Sequence, residues 1–322
     1  MTDLVVREYA AGDEWAINDA YNAALGQHRP HSEWDWKYSV WPQGRWVMVA
    51  VDPQGRILAH CAALGALLRV GTRVVRGGWV VDRFATPDEA GRVEPEALAR
   101  TVEQFHRVFG TPDLLSMLLG FLRERDLREG DLRLRYDQML PQPVAVWGRS
   151  AHRHREMFSG HDVRQGLDPR AADDLWFAAS TRYAVATVRD AARQVRRFTG
   201  RPGVEYGHLS AWRESRVHAS AVVRVEPPVT YVADLVWDGD DTGALVALDR
   251  AIGTGSLAVG AERIEMWLMG DERATEVLRR LGWQQRGHPD RLALVAGSFD
   301  PAIDVRALWG RFYVTLADSD LV

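Results

Sequence analysis

An apolar run that stops in a turn and opens straight into an amphipathic helix constrains this chain more than any other feature. The run is Trp79-Val80-Val81-Asp82-Arg83-Phe84, followed by Ala85-Thr86-Pro87 and a turn carrying Gly91. The helix is Pro95–Phe109, with Leu98, Val102, Phe105 and Val108 on one face. A strand that feeds a helix N-terminus in this way aims backbone N–H groups at an anionic ligand above the turn. The pattern therefore predicts an α/β fold with an anion-binding turn over residues 84–93.

The segments around this unit alternate in the same manner. Before it come a short strand Leu4–Tyr9, helices from Glu14 and over Glu33–Tyr38, and strands Trp46–Val51 and Ile57–Leu64 about an Asp52-Pro53-Gln54-Gly55 turn. Thr72–Val75 is a further apolar run, and Leu114–Leu119, Arg133–Tyr136 and Pro143–Trp147 read as strands after the helix. The stretch 151–160 has no apolar period and marks a boundary. Beyond it, helices over Ala171–Ala179, Arg189–Arg197, Gly243–Gly253 and Glu272–Leu281 mix with strands over Glu205–Ser210, Ala219–Val225, Thr230–Leu235, Ile264–Leu268 and Leu292–Ala296. The expectation is two related units, 1–152 and 160–322, each a mostly antiparallel sheet flanked by helices (α+β in detail).

Composition excludes several classes. The net charge of −4 gives no overall basic balance for nucleic acid. Cys61 is the lone cysteine, so no intrachain disulfide can form, and its apolar surroundings predict burial. No segment approaches the ~20 apolar residues of a membrane span, and the N-terminus lacks a basic region before an apolar one. A cytoplasmic protein without a membrane is expected. No His, Cys, Asp and Glu set has zinc spacing, so no metal is expected; His152 and His154 fall in an arginine-rich stretch. Thirteen tryptophans point to a large pocket or interface. Lys37 is the one lysine among forty Lys and Arg residues, a bias that GC-rich coding would produce.

This element order resembles that of the GNAT acyltransferase superfamily. Arg7-Glu8-Tyr9 with Gly12-Asp13 is similar to the common GNAT opening. His31-Ser32-Glu33-Trp34-Asp35-Trp36-Lys37-Tyr38 resembles the Trp-x-Trp-Lys-Tyr helix of bacterial tandem GNAT proteins, and the terminus from Trp309 to Asp320 resembles theirs. The family's cofactor turn is Arg/Gln-x-x-Gly-x-Gly/Ala. Here Pro87 and Gly91 fit, while Ala90 and Val93 stand where an arginine and a second small residue are common; Asp88, Glu89 and Glu94 add negative charge that Arg92 partly offsets. Asp238-Gly239-Asp240-Asp241 occupies the corresponding turn of the second half, where carboxylates would repel a pyrophosphate. Any CoA site is therefore expected in the first unit.

The resemblance implies transfer of an acetyl or other acyl group from acyl-CoA to the amine of a small molecule, such as an amino sugar or natural-product intermediate. Phe84, Ala85, Thr86, Gly91, Arg92 and Val93 would form the cofactor site, with the Phe84 and Thr86 amides holding the thioester carbonyl and pantetheine. Asp82, at an apolar strand end that could raise its pKa, would be base or acceptor anchor; the alternative is a structural pair with Arg83 or Arg76. Tyr136 would protonate the leaving thiolate. Either His31 or Glu33 would be a base at a cleft rim, and Trp34 or Trp36, facing different ways, would line the acceptor pocket. In the second unit Asp234 is the analogue of Asp82, Tyr183 lies on the acceptor-side helix, and Asp318 sits either in a loose acidic tail or docked to recognise an amine. Two other readings keep the fold: an acyl-phosphopantetheine donor on an acyl carrier protein (for transfer or decarboxylation), which has no pyrophosphate to grip, and a non-catalytic binding module.

Overall fold

The computed structural model of the protein describes residues 4–38, 43–88, 91, 95–123, 140–152 and 159–320. The chain packs as two units, and each is assembled from non-contiguous segments. Unit 1 comprises residues 1–67, 75–141 and 294–307; unit 2 comprises 68–74, 142–293 and 308–322. This division differs from a single cut between 152 and 160. Segment 142–152 packs with the later half of the chain, and 294–307 packs with the earlier half.

Unit 1 begins with β1 (Val5–Glu8), α1 (Glu14–Leu25) and α2 (His31–Tyr38). Then come β2 (Arg45–Val51), β3 (Ile57–Val70), β4 (Arg73–Ala85), α3 (Pro95–Phe109) and β5 (Met117–Arg123). Strands β1, β2 and β3 are antiparallel in sequence, whereas β4 and β5 run parallel. The two apolar runs expected on either side of Arg76 form the one strand β4, because Gly77 and Gly78 keep an extended backbone and stay in register with Met117 and Leu118. Helix α3 starts and stops where its periodicity predicts. Its Val102, Phe105 and Phe109 pack with Cys61, Leu115, Leu118 and Val295 on one face of the sheet. Ile17, Ala20, Trp34 and Tyr38 from α1 and α2 pack on Val47, Val49, Val81 and Phe84 on the other.

Unit 2 takes β6 (Gln142–Pro143) and β7 (Ala145–Ser150) first, then β8 (Asp162–Gln165), α4 (Pro169–Ser180), β9 (Val185–Thr187) and α5 (Ala191–Phe198). It continues with β10 (Gly207–Arg213), β11 (Arg216–Glu226), β12 (Val229–Trp237), α6 (Thr242–Ala258) and β13 (Arg263–Met269). Helix α7 (Glu272–Arg280), β14 (Gln284–Gly287), the start of β15 (Leu292–Ser298) and β16 (Phe312–Thr315) complete it. Strands β8, β10, β11 and β12 are antiparallel neighbours, and β12 and β13 are parallel. All four helices open on an aspartate whose carboxylate accepts an N–H of the first turn: Asp168, Asp190, Asp241 and Asp271. No helix among the described residues is long and apolar enough to cross a membrane.

Gly270, between β13 and α7, has φ +72°, and a Cβ there would lie 2.3 Å from the Phe312 carbonyl oxygen. Gly260 has φ +77° with open space around it. Gly260→Ala is expected to cost about 1 kcal/mol, the left-handed penalty alone, whereas Gly270→Ala should cost more than about 2 kcal/mol because backbone must also move. Urea denaturation of the two variants checks the difference.

Candidate functional site

The ladder between β4 and β5 runs from Gly77–Trp79 alongside Met117–Leu119, and β4 then continues to Ala85. Three residues past the last pair, Asp82 adopts φ +47°, a left-handed conformation unusual for a non-glycine residue within a strand. The side chain it turns inward is fully buried and ends in a dense polar cluster. Its Oδ2 accepts from Arg29 Nη1 at 2.6 Å and from the Tyr38 hydroxyl at 2.7 Å; its Oδ1 accepts from Lys37 Nζ at 2.6 Å. The Asp82 carbonyl oxygen accepts from His60 Nδ1 at 2.6 Å. Because a carbonyl can only accept, Nδ1 carries the ring proton and Nε2 is left as an acceptor.

These groups set one another's ionisation. Burial pushes the Asp82 carboxyl up, as its strand-end position suggests, but Lys37 and Arg29 outweigh burial and hold it well below the usual carboxylate range. The expectation of a raised pKa is therefore corrected: the carboxylate takes three donors and is held in its ionised form. Its partners are 53, 45 and 44 residues away, not the adjacent Arg83 or Arg76. Burial drives the His60 imidazole down to about 4 in spite of the Asp82 charge, so the ring is neutral near pH 7.

The other expected residues of unit 1 fall as follows. His31 lies 3.1 Å from Asp35 and stacks on Trp15 at 3.8 Å between centroids. Trp34 is buried against Tyr38, while Trp36 and Glu33 are half-buried, so the two tryptophans do separate into core and surface. Phe84 is buried and stacks on His60 at 5.1 Å. The Thr86 amide donates to the Leu58 carbonyl at 2.9 Å and is not available to pantetheine, a correction to its expected role. Ala85 is half-buried. Gly91 is exposed at φ +75°, and its amide donates to the Asp88 carbonyl. Tyr136, Arg92 and Val93 lie outside the described residues.

Unit 2 repeats the strand arrangement with its space filled. The β12–β13 ladder stops at Val232 and Met266, and a register shift lies beside Ala233. From there β16 pairs with β13 at Leu268 and Met269. Across from it, the Tyr313 hydroxyl donates to the Leu235 carbonyl and the Thr315 hydroxyl to Asp234 at 2.8 Å. Asp234 also accepts from Arg189 Nε and Gln194 Nε2, both at 3.0 Å, and Arg189 reaches on to Asp318. Burial raises the Asp234 carboxyl, but Arg189 together with the hydrogen bonds from Thr315 and Gln194 outweighs it and the net shift is downward. The segment around Asp318 is thus docked. The Asp318 carboxylate is engaged by Arg189, Arg193 and Thr187 instead of facing an amine. Tyr183 is buried and stacked on Tyr313 at 3.9 Å, and burial raises its hydroxyl pKa.

The turn after β12 is filled in the same manner. Asp238 Oδ1 accepts the Asp240 and Asp241 amides, and Asp241 Oδ1 accepts the Gly243 amide. The N–H groups that would cradle a phosphate at this helix start are bonded to the chain's own carboxylates. Among the described residues no His, Cys, Asp and Glu group could hold a metal ion.

None of Arg29, Lys37, Tyr38, His60 and Arg189 was read as a site residue from the sequence. One signal for Lys37 was present: a chain that writes every other cation as arginine keeps a single lysine, and it is buried on Asp82.

No protein-family model matches the chain, and no curated protein matches it. Solved structures do. A probable N-acyltransferase of Enterococcus faecalis V583 superposes with a TM-score of 0.70 at 9% identity, covering 93% of this chain and 73% of that one. A GCN5-related N-acetyltransferase of Anabaena variabilis gives 0.69 at 10% identity over 96% and 75%. Saccharomyces cerevisiae N-myristoyltransferase, solved with bound myristoyl-CoA, gives 0.61 at 10% identity over 92% and 83%. The protein has the tandem GNAT fold.

Two measurements follow from the buried cluster. Asp82→Asn leaves Arg29 and Lys37 without their shared carboxylate and should lower stability by about 3–5 kcal/mol in chemical denaturation. The second concerns His60, whose folded pKa lies near 4, below the unfolded value of about 6.5. The unfolded state therefore binds more protons in this window, and stability falls as pH drops from 6.5 towards 4. Between pH 7 and 5 the wild type should lose roughly 2 kcal/mol more than His60→Asn, at ~1.4 kcal/mol per unit. Equal losses would show that the buried imidazole is protonated as readily as a free one. Asp82 does not contribute here, since its stabilisation is lost only below the ordinary carboxylate range.

Proposed function

We propose that the protein is an N-acyltransferase that draws on an acyl-CoA thioester at unit 1 and delivers the acyl group to the amine of a small molecule. One contrast carries the reading. In unit 2 the space beyond the parallel ladder is taken by β16 and the turn amides by Asp238 and Asp241. In unit 1, among the described residues, β4 runs on past its last pair with β5 and no strand takes the place of β16.

Acyl-CoA, when bound, supplies the activated carbonyl and a thiolate leaving group. As the amine attacks, a C–N bond forms and the C–S bond breaks; the ammonium proton leaves to solvent or a base, and the thiolate takes up a proton. The residues of this chain orient and screen that exchange. Asp82 fixes Arg29, Lys37 and Tyr38 from the α1–α2 segment against β4, so it acts as a positioning residue. Tyr136 remains the proposed donor of the thiolate's proton. Gly91 leaves open space on its Cβ side, which suits approach of a phosphate, whereas Asp88 nearby does not.

A second reading rests on the donor turn. The Thr86 amide is committed to β3 and the Gly91 amide to Asp88, which thins the set of N–H groups available to a pyrophosphate. That observation favours a phosphopantetheine thioester on an acyl carrier protein. Calorimetry with acetyl-CoA separates the two: one site per chain, weakened about tenfold or more by Gly91→Trp, is expected for the CoA donor. A site lost on substitution in the Asp238–Asp241 turn, with Gly91→Trp silent, would move the donor to unit 2. No CoA binding, with transfer from an acyl-loaded carrier protein, would establish the second reading.

A further inference from the structure

One face of the β12–β13 pair is spent on the core of unit 2, through Val232 and Ile264. The next residue along each strand points to the opposite face. Tyr231 stands beside Glu265 in the ladder, and Trp267 lies two residues past Glu265, so all three share that second face. Arg224 of β11 is the neighbour of Tyr231, and Val146 of β7 is the neighbour of Trp267. With Glu226 and Leu316 these residues line a cleft of about 290 Å³. That is at the small end of the range for ligand clefts. The whole lining belongs to unit 2. Tyr231 and Glu265 are half-buried and Glu226 is exposed, so the cleft can be reached from solvent.

Its chemistry is aromatic and, on balance, acidic. Trp267 meets His288 edge to face at 5.2 Å between centroids, and the Asp290 amide donates to His288 Nδ1 at 3.1 Å. Two carboxylates, Glu226 and Glu265, line the cleft against one guanidinium, Arg224. Each carboxylate is tethered at Oε1: Arg224 donates to Glu226, and Arg286 donates to Glu265, with Arg263 at 3.5 Å. Arg263 and Arg286 are half-exposed and do not line the cleft. Among the described residues Glu226 Oε2, Glu265 Oε2 and the Tyr231 hydroxyl take no hydrogen bond. Burial raises the Tyr231 pKa and the Glu265 and Glu226 charges add to the rise, so both carboxylates act on this hydroxyl. The open positions are therefore mainly acceptors, beside tryptophan and tyrosine rings. An ammonium group satisfies both features, because it donates to carboxylate oxygens and is drawn to aromatic faces. An anion would meet Arg224 alone, which Glu226 already engages.

We infer that unit 2 binds an organic ammonium compound in this cleft: the ammonium head donates to Glu265 Oε2 and to the Tyr231 oxygen, and an apolar body lies against Trp267, Val146 and Leu316. The inference does not rest on acyl transfer at unit 1, and the Asp82 cluster takes no part in it.

The probes are phenethylamine, its trimethylammonium derivative and 2-phenylethanol, which share a body and differ in the head, with 3-phenylpropanoate as the anion. Calorimetry on the full chain should give phenethylamine a site about tenfold or more tighter than 2-phenylethanol, weakening as salt is added. 3-Phenylpropanoate should not bind. Glu265→Gln should weaken phenethylamine about tenfold and leave 2-phenylethanol unchanged. Tyr231→Phe should weaken phenethylamine about threefold yet spare the trimethylammonium compound, which has no N–H to donate. Glu226→Gln, at an exposed position where folding is not at stake, should weaken both cations about threefold. Circular dichroism verifies the fold of each variant. Equal affinity for amine and alcohol, tighter binding of the acid, or cation binding that survives both Glu265→Gln and Glu226→Gln would overturn the inference. So would the absence of binding by every probe. If acetyl-CoA fails to bind, the CoA reading at unit 1 falls and the outcomes with these probes still decide the unit 2 site.

Discussion

The carboxylate of Asp82 organises unit 1. It is fully buried, yet it stays ionised because Arg29, Lys37 and Tyr38 converge on its two oxygens. Arg29 comes from the link between α1 and α2, and Lys37 and Tyr38 from the end of α2, so one side chain on β4 ties both to the sheet. A buried ion pair contributes little net stability against an apolar replacement, but removing one member exposes the others to an uncompensated cost. What such a cluster gives is a single arrangement. The left-handed turn of the strand at Asp82 is held from two sides, through its carboxylate and through its carbonyl on His60.

Unit 2 solves the same geometry in another way. Asp234 sits beside an irregularity of β12 just as Asp82 sits at one in β4, and again it faces an arginine. There, however, the chain returns. Strand β16 lies where β12 and β13 part, Thr315 binds Asp234, and Arg189 bridges Asp234 to Asp318. Burial lowers the Arg189 guanidinium pKa, but the two carboxylates more than restore it. The result is a closed polar core in which each charge faces one of opposite sign.

Much of this was legible in the sequence, and for physical reasons. Helix α3 carries a clean 3.6-residue period between a proline and a glycine, and its observed bounds match the reading. The strand–turn–helix order pointed to the fold that the solved structures share. The acidic turn after β12 was readable because carboxylates beside a helix start repel phosphate; the structure adds that they bind the amides themselves. Other features were not accessible. Short strands such as β9 and β14 have too few residues to show a period. The exchange of 142–152 and 294–307 between units depends on which edges close in three dimensions. Arg29 is one arginine among many, and its partner lies 53 residues away, so no local pattern marks it. Asp82 was found on its position alone, but its ionisation turned on Lys37 and Arg29, which only tertiary contact could supply.

Hydrogen-bond accounting sets the two units apart. A strand end that parts from its neighbour and a helix that starts over a turn both release polar groups, which must be met by solvent, ligand or chain. In unit 2 the chain meets them: Asp238 and Asp241 take the turn amides, and Thr315, Gln194 and Arg189 take the Asp234 carboxylate. Those bonds are intramolecular and carry no association cost, so a ligand competing for them must displace a tethered partner. In unit 1 the Asp82 carboxylate is met, but Arg29 Nη2 and His60 Nε2 are not. Unit 2 leaves buried atoms of its own unmet as well, Gln194 Oε1 and Thr230 Oγ1 among them. Among the described residues the two units thus differ in what fills the strand end: β16 and its side chains in unit 2, and the donors of the α1–α2 segment on Asp82 in unit 1.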